Sequence, residues 1–253
     1  MTHVTPVPGQ PTVVLVHGAF ADASSWNGVI ERLQAKGVVA TAPANPLRGL
    51  SSDSAYLASV LDQTPGPVIA VGHSYGGAVI SSAAHQAKNV VGLVFIAAFA
   101  PDEGEALGEV AAESKDSILM TALIPHQYPG PDGQPAVEFA IDPAKFHDAF
   151  AGDLTLEASE VLAATQRPTA ERAFSDRAGT AAWWDLPCWA VVATSDRAAG
   201  RDVTYAMAER ARATIIEVES SHVVMISQPQ AVTDAILAAV AELADVPVAT
   251  ATR

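Results

Sequence analysis

The chain has 253 residues, 49% of them hydrophobic and 17% charged, and a formal net charge of −14. That balance is globular rather than disordered, and the length suits one large α/β domain with a substantial core. The acidity argues against nucleic acid or an anionic membrane as partner, since both require a basic face, and a solvated acidic surface is its ordinary meaning.

Met1 to Gln10 carries no basic residue ahead of an apolar stretch, so no secretory signal is expected. Thr12–Val16 is the first strand, followed by a helix over Ser25–Lys36 that presents Trp26, Val29, Ile30 and Leu33 on one face and stops at Gly37. Val38–Ala42 is a weaker strand, and Ser52–Gln63 is a helix through Tyr56, Leu57, Val60 and Leu61. Val68–Val71 and Val90–Ala97 are apolar runs too short for helices. From Pro101 to about Ala170 no strand is expected, and Pro125, Pro129, Pro131, Pro135 and Pro143 interrupt short helical pieces. That stretch is too long for a plain loop in a compact domain and reads as a helical cap. Trp189–Ala193 and the weaker Thr214–Val218 complete the strands, Gln230–Leu243 forms the last helix, and the tail after Asp245 is expected to fray.

Continuous apolar runs suit parallel strands covered on both faces, and their alternation with helices requires right-handed crossovers. The expectation is therefore an α/β fold: a doubly wound, mostly parallel sheet of about six strands with an inserted cap. Residues 1–100 and 171–253 would form the core and residues 101–170 the cap. No apolar run approaches the ~20 residues that span a bilayer, and the single cysteine, Cys188, sits in a buried strand and cannot form an internal disulfide. A cytoplasmic protein is expected, with no nucleic-acid or membrane partner and with a homodimer left open.

The sequence Val68-Ile-Ala-Val-Gly72-His73-Ser74-Tyr75-Gly76-Gly77 places G-x-S-x-G between a strand and a helix. This setting gives the pattern its meaning: the chain reverses sharply and presents the Ser74 hydroxyl at a helix N-terminus. A serine needs a base. Of seven histidines, His222 follows the last strand and precedes the last helix, where the base falls when partners come in the order serine, acid, histidine. His73 adjoins the serine but projects elsewhere, and His17 reads as an anchor of its own loop. Asp196, ending Val191-Val-Ala-Thr-Ser-Asp196, is the candidate acid; Asp102 is the rival, read as a helix cap, and the nearby Asp202 weakens the choice slightly. Thr12-Val-Val-Leu-Val-His17-Gly18-Ala19-Phe20 ends a strand where an oxyanion loop belongs, so the donors are assigned to the backbone N–H groups of Ala19 and Tyr75. No metal-binding spacing and no phosphate loop appear.

Over Val13 to about Leu243 the chain resembles the α/β-hydrolase superfamily. More closely it resembles the branch of plant methylesterases, hydroxynitrile lyases and bacterial esterases. The carriers are His17-Gly-Ala19 with Trp26, Gly72-His-Ser74-Tyr-Gly76-Gly77, Ala97-Ala-Phe-Ala-Pro-Asp102 and Ser221-His222. That branch starts close to the His-Gly strand, as this chain does, without the superfamily's first two strands. The resemblance implies about six parallel strands, a Ser–His–Asp triad and no cofactor. One departure is Arg197-Ala-Ala-Gly-Arg-Asp after the acid, where relatives often carry a proline-containing stretch. The expected activity is hydrolysis of a small, fairly apolar carboxylic ester. Phe20, Tyr75 and Phe99, with the cap's Leu119, Met120, Leu123, Tyr128, Phe139 and Phe146, are candidates to line the pocket, about half of them touching a ligand. C–C bond hydrolysis, perhydrolysis and hydroxynitrile cleavage would use the same triad. The last would want a pocket lysine, and Lys115 and Lys145 are the only cap lysines. A ligand receptor on the same scaffold is a third class.

Overall fold

A computed structural model describes residues 9–130 and 132–244. The extreme N-terminus, with His3, and the tail after Asp245 lie outside the described residues.

In chain order the strands are β1 (Thr12–Val16), β2 (Ala40–Thr41), β3 (Val68–His73), β4 (Val90–Ile96), β5 (Leu123–Pro129), β6 (Pro135–Ile141), β7 (Thr169–Ala170), β8 (Cys188–Ala193) and β9 (Thr214–Val218). The helices are α1 (Asn27–Ala35), α2 (Leu50–Asp62), α3 (Tyr75–Gln86), α4 (Leu107–Ala112), α5 (Pro143–Phe150), α6 (Leu156–Thr165), α7 (Arg172–Ser175), α8 (Arg201–Arg210), α9 (Val224–Ser227) and α10 (Pro229–Glu242).

Six strands pair in the order β2-β1-β3-β4-β8-β9, every neighbour parallel. Alternate residues of each strand feed separate cores. Val13, Leu15, Ile69, Val71, Val94 and Ile96 pack against α1 and α10 through Val29, Leu33, Val232 and Ile236. Val14, Val16, Ala70, Leu93 and Phe95 pack on the opposite face with Leu57, Leu61, Val79 and Ala83 of α2 and α3. Burial on both faces is why these strands read as unbroken apolar runs. The α1 segment starts with a short 3-10 turn whose N-terminus is capped by the Asp22 side chain, and it ends beside Gly37, whose φ of 73° closes the turn.

Between β4 and β8 the structure departs from the sequence expectation of a strandless helical segment. β5 and β6 form an antiparallel hairpin, and β7 adds a short third strand to β6. Pro131 lies outside the described residues, and the other four prolines misled the reading because they occupy tolerated places. Pro125 and Pro129 lie on the edge strand β5 and Pro135 opens β6. Pro143 occupies the first turn of α5, capped by the Asp142 side chain.

Strand ends are in register where it matters. Val16 is opposite Gly72, His73 opposite Ile96, and Ala193 opposite Val218. The segments following β1, β3, β8 and β9 therefore emerge along one edge, the carboxyl edge, and the strand order reverses between β1 and β3. Such a switch point opens a crevice suited to a ligand. Among the described residues no helix is long and apolar enough to cross a membrane.

Candidate active site

Ser74 stands between the last residue of β3 and the first of α3, with φ 53° and ψ −124°. A serine held there is strained, by about 1–3 kcal/mol, and persists only because its surroundings fix it. They do so through the backbone: Ser74 N–H donates to Ile96 O at 3.2 Å, while Ser74 O accepts from Gly77 N at 2.9 Å and Phe99 N at 3.2 Å. The flanking glycines allow this packing. A Cβ on Gly72 would lie 2.5 Å from Gly76 O, and one on Gly76 would lie 2.5 Å from Val16 O. Tyr75 opens α3, so its N–H has no intrahelical acceptor.

The turn after β1 abuts this elbow closely, since a Cβ on Gly18 would meet Ser74 Cβ at 2.7 Å. His17 anchors the turn. Its Nε2 accepts from Asn45 N–H at 3.0 Å and its Nδ1 lies 2.9 Å from Gly18 O, which fixes a neutral ring protonated at Nδ1. Burial lowers its pKa to about 4, in keeping with that state. Among the described residues the Ala19 N–H has no acceptor, whereas Phe20 N–H donates to Thr169 Oγ1 at 3.2 Å. Phe20 itself adopts a positive φ of 59°.

At the other end of the carboxyl edge the structure brings Asp196 and His222 together. Asp196 Oδ2 lies 2.8 Å from His222 Nδ1, and both side chains are almost wholly buried. Asp196 Oδ1 accepts from Ala198 N at 2.8 Å and Ala199 N at 3.0 Å, so the carboxylate is held on both oxygens. The His222 ring centre lies 4.6 Å from that of His73, the residue before Ser74. His73 Nε2 is 3.0 Å from His222 O, and because a carbonyl only accepts, this nitrogen is the donor. Burial, reinforced by His222, pushes the His73 pKa well below its usual value. His73 therefore holds the backbone of His222.

The rival groups lie elsewhere. Asp102 accepts from Trp184 Nε1 at 3.1 Å, a bond that lowers its pKa. Asp202 is bound to the inserted segment through Ser114 Oγ at 2.6 Å and Lys115 N at 2.8 Å. His85 and His126 are exposed.

Of the residues expected to line a pocket, Phe20, Phe139 and Phe146 join an aromatic cluster with two that sequence reasoning missed, Phe150 and Phe174. Phe150 meets the His222 ring edge-on with centroids 4.9 Å apart, and Phe146 and Phe20 lie 5.1 and 6.3 Å from Phe150. Phe174 stacks on Phe20 at 6.2 Å and meets Phe139 at 6.3 Å. Phe150 had a signal in the sequence, because it follows Phe146 by four residues on the buried face of α5. Phe174 sits in a four-residue helix too short to show a period. The cavity that Phe20, Phe146 and Phe150 share with Val223 and Met225 measures about 30 Å³, room for water but not for an ester.

Phe99 is buried beside the elbow, and Leu119 and Leu123 pack half-buried against the same core. Tyr128 lies instead under the Arg48 guanidinium, 4.6 Å from its carbon, and Met120 is exposed. Tyr75 turns its hydroxyl to the buried Asp53, donating at 2.8 Å. Asp53 also accepts from Arg48 N at 3.1 Å, and burial still raises its pKa. Nothing in the local sequence around Asp53 marked it.

A sequence profile of the Alpha/beta hydrolase family matches residues 13–235. The chain belongs to that family. Among curated proteins no sequence matches. Among solved structures, polyneuridine aldehyde esterase superposes with a TM-score of 0.78 at 20% identity, covering 91% of this chain and 99% of its own. A pyrethroid hydrolase from Sphingobium faniae gives 0.74 at 20% identity, covering 94% and 98%. A methylesterase from Arabidopsis gives 0.74 at 21%, covering 92% and 99%. At these identities the likeness extends to the fold of this hydrolase.

Proposed function

We propose that this hydrolase cleaves a small, fairly apolar carboxylic ester through an acyl-enzyme on Ser74, with His222 as base and Asp196 as orienting acid. The supporting observation is the buried Asp196–His222 pair at 2.8 Å, on the same sheet edge as a serine held at φ 53°.

Each group has one task. Asp196 fixes the tautomer of His222 that carries hydrogen on Nδ1, leaving Nε2 free to accept a proton. Ser74 Oγ attacks the ester carbonyl carbon as its proton passes to His222. The carbonyl oxygen becomes an oxyanion that the N–H groups of Ala19 and Tyr75 stabilise, each such donor being worth ~2.7–4 kcal/mol. The intermediate collapses, the C–O bond to the leaving alcohol breaks, and His222 returns the proton to that oxygen. Water then repeats the sequence on the acyl-enzyme, releasing the acid and restoring Ser74.

The family match and esterase folds of comparable topology favour esters over the other reactions this triad supports, and the branch of methylesterases and bacterial esterases is the closest reading of the motifs. Hydroxynitrile cleavage loses ground: Lys115 is exposed, and Lys145 Nζ donates to Thr121 O at 2.6 Å on the surface. We read residues 101–170 as the cap, contributing Phe139, Phe146 and Phe150 to the pocket. The direct test is hydrolysis of short p-nitrophenyl esters before and after Ser74→Ala. Equal rates in the two proteins would end this reading.

A further inference from the structure

His222, itself buried, follows the edge strand of the sheet. β9 is an edge strand with three of its five residues exposed, and the turn from Glu219 to Val223 is held from the sheet by Ser195 N–H, which donates to Ser220 O at 3.0 Å, and by His73 Nε2, which donates to His222 O at 3.0 Å. A cavity of about 320 Å³ opens between the inserted segment at Gly152 and Asp153, the loop after β8 at Ser195 and Arg197, and the turn at Ser220, Ser221 and His222. His222 itself is held by His73 at its carbonyl and by Asp196 at Nδ1, so the two residues before it are where the inserted segment bears on the turn.

Across this cavity one carboxylate of the inserted segment reaches the turn. Asp153, in the loop after α5, accepts from Ser220 Oγ at 2.8 Å with one oxygen and from Ser221 Oγ with the other. Ser220 Oγ also shares a hydrogen bond of 2.8 Å with Ser227 Oγ beyond the base, and Ser221 Oγ reaches Phe150 O. The same short stretch of the inserted segment, 150–153, thus places a ring on the imidazole and a two-oxygen clamp on the two residues before it.

Building on the catalytic reading above, we infer that Asp153 is a positioning residue for His222, coupling the inserted segment to the base. While the segment is seated, the clamp fixes the height of the imidazole over Ser74. When 150–153 moves to admit substrate, the ring contact and both hydroxyl bonds are released together. The base is therefore fully set only once the segment closes. Misplacing a catalytic group by about 1 Å costs on the order of 10²-fold in rate.

Both partners are hydroxyls, which donate or accept freely. A carboxamide at position 153 can therefore accept from one and donate to the other, whereas alanine can do neither. The test is ester hydrolysis by Asp153→Ala, Asp153→Asn and the pair Ser220→Ala/Ser221→Ala, with thermal unfolding run alongside. Asp153→Ala is expected to lower kcat roughly tenfold to hundredfold with KM within about twofold, Asp153→Asn to recover most of it, and the serine pair to match Asp153→Ala. Joining all three alanines should add little, since residues of one network are not additive. An unchanged kcat in Asp153→Ala, a rise in KM alone, or an Asp153→Asn as slow as the alanine would each overturn the inference. If Asp153→Ala fails to fold, the serine pair decides by the same kcat and KM criteria. Ser74→Ala in parallel separates the two ideas: its inactivity sustains the catalytic reading whatever Asp153 does, and wild-type rates from it overturn both.

Discussion

Around Ser74 the chain packs backbone against backbone, whereas the segment between β4 and β8 meets the site through side chains. At the elbow, hydrogen-sized side chains at Gly72 and Gly76 let β1, β3 and α3 approach until a methyl group has no room. The inserted segment reaches the same place with Phe146, Phe150 and Asp153 from α5 and the loop after it, and its hairpin is half exposed. The elbow is close-packed and cannot adjust without backbone movement, while rotamers and loops can rearrange. On the proposed reading the nucleophile and oxyanion donors fall to the rigid region, and the pocket wall and the setting of the base to the adaptable one.

That division orders what substitutions should do. Ser74→Ala removes the nucleophile from the rigid side and should lower kcat on the order of 10⁶-fold, the scale for deleting a triad serine, with the thermal midpoint barely moved. A residual rate within tenfold of wild type would place the nucleophile elsewhere. Asp196→Asn keeps the shape but lets His222 take the wrong tautomer, and about 10⁴-fold in kcat should be lost. A loss in KM instead would mean that Asp196 shapes a binding surface.

His17 probes the rigid side through stability. Its folded pKa, about 4, lies below its ordinary 6.5, so between these values the unfolded chain binds a proton that the folded one refuses. Stability from this group is complete above pH 6.5 and falls as pH drops towards 4, by about 2 kcal/mol between pH 7 and 5. His73 acts in the same direction and Asp53, with its raised pKa, in the opposite one. Comparing thermal midpoints of wild type and His17→Gln at the two pH values isolates the His17 share. The variant should lose less on acidification, and parallel curves would show that His17 is not the neutral anchor of the turn.

Phe150→Ala, on the adaptable side, should have the smallest effect on catalysis. Removing the ring from a site whose open space is about 30 Å³ should shift the ratio of kcat/KM for bulky over small esters by about tenfold. An unaltered ratio would place the acyl pocket elsewhere.

The same contrast governs what the sequence made legible. The central strands of the sheet were visible because burial on both faces leaves unbroken apolar runs, while β2 and β9 at the edges read more weakly; Asp196 follows one such run, and His222 stood out by its place between the last strand and the last helix. Their contact depends on β8 and β9 being neighbours, which strand order alone delivers. The hairpin over 123–141 was hidden because Pro125, Pro129 and Pro135 sit where a missing N–H costs nothing. Asp53 and Asp153 were invisible for another reason. Their partners, Tyr75 and the Ser220–Ser221 pair, lie 22, 67 and 68 residues away, and no local period encodes such pairings.

The nucleophile itself is most directly tested by treating folded protein with a fluorophosphonate and mapping the adduct by peptide mass spectrometry. A single phosphonyl group on Ser74, absent after denaturation and absent in His222→Ala, is the expected result. Folded protein that stays unlabelled, or carries the group on another residue, would show that Ser74 and His222 do not act together.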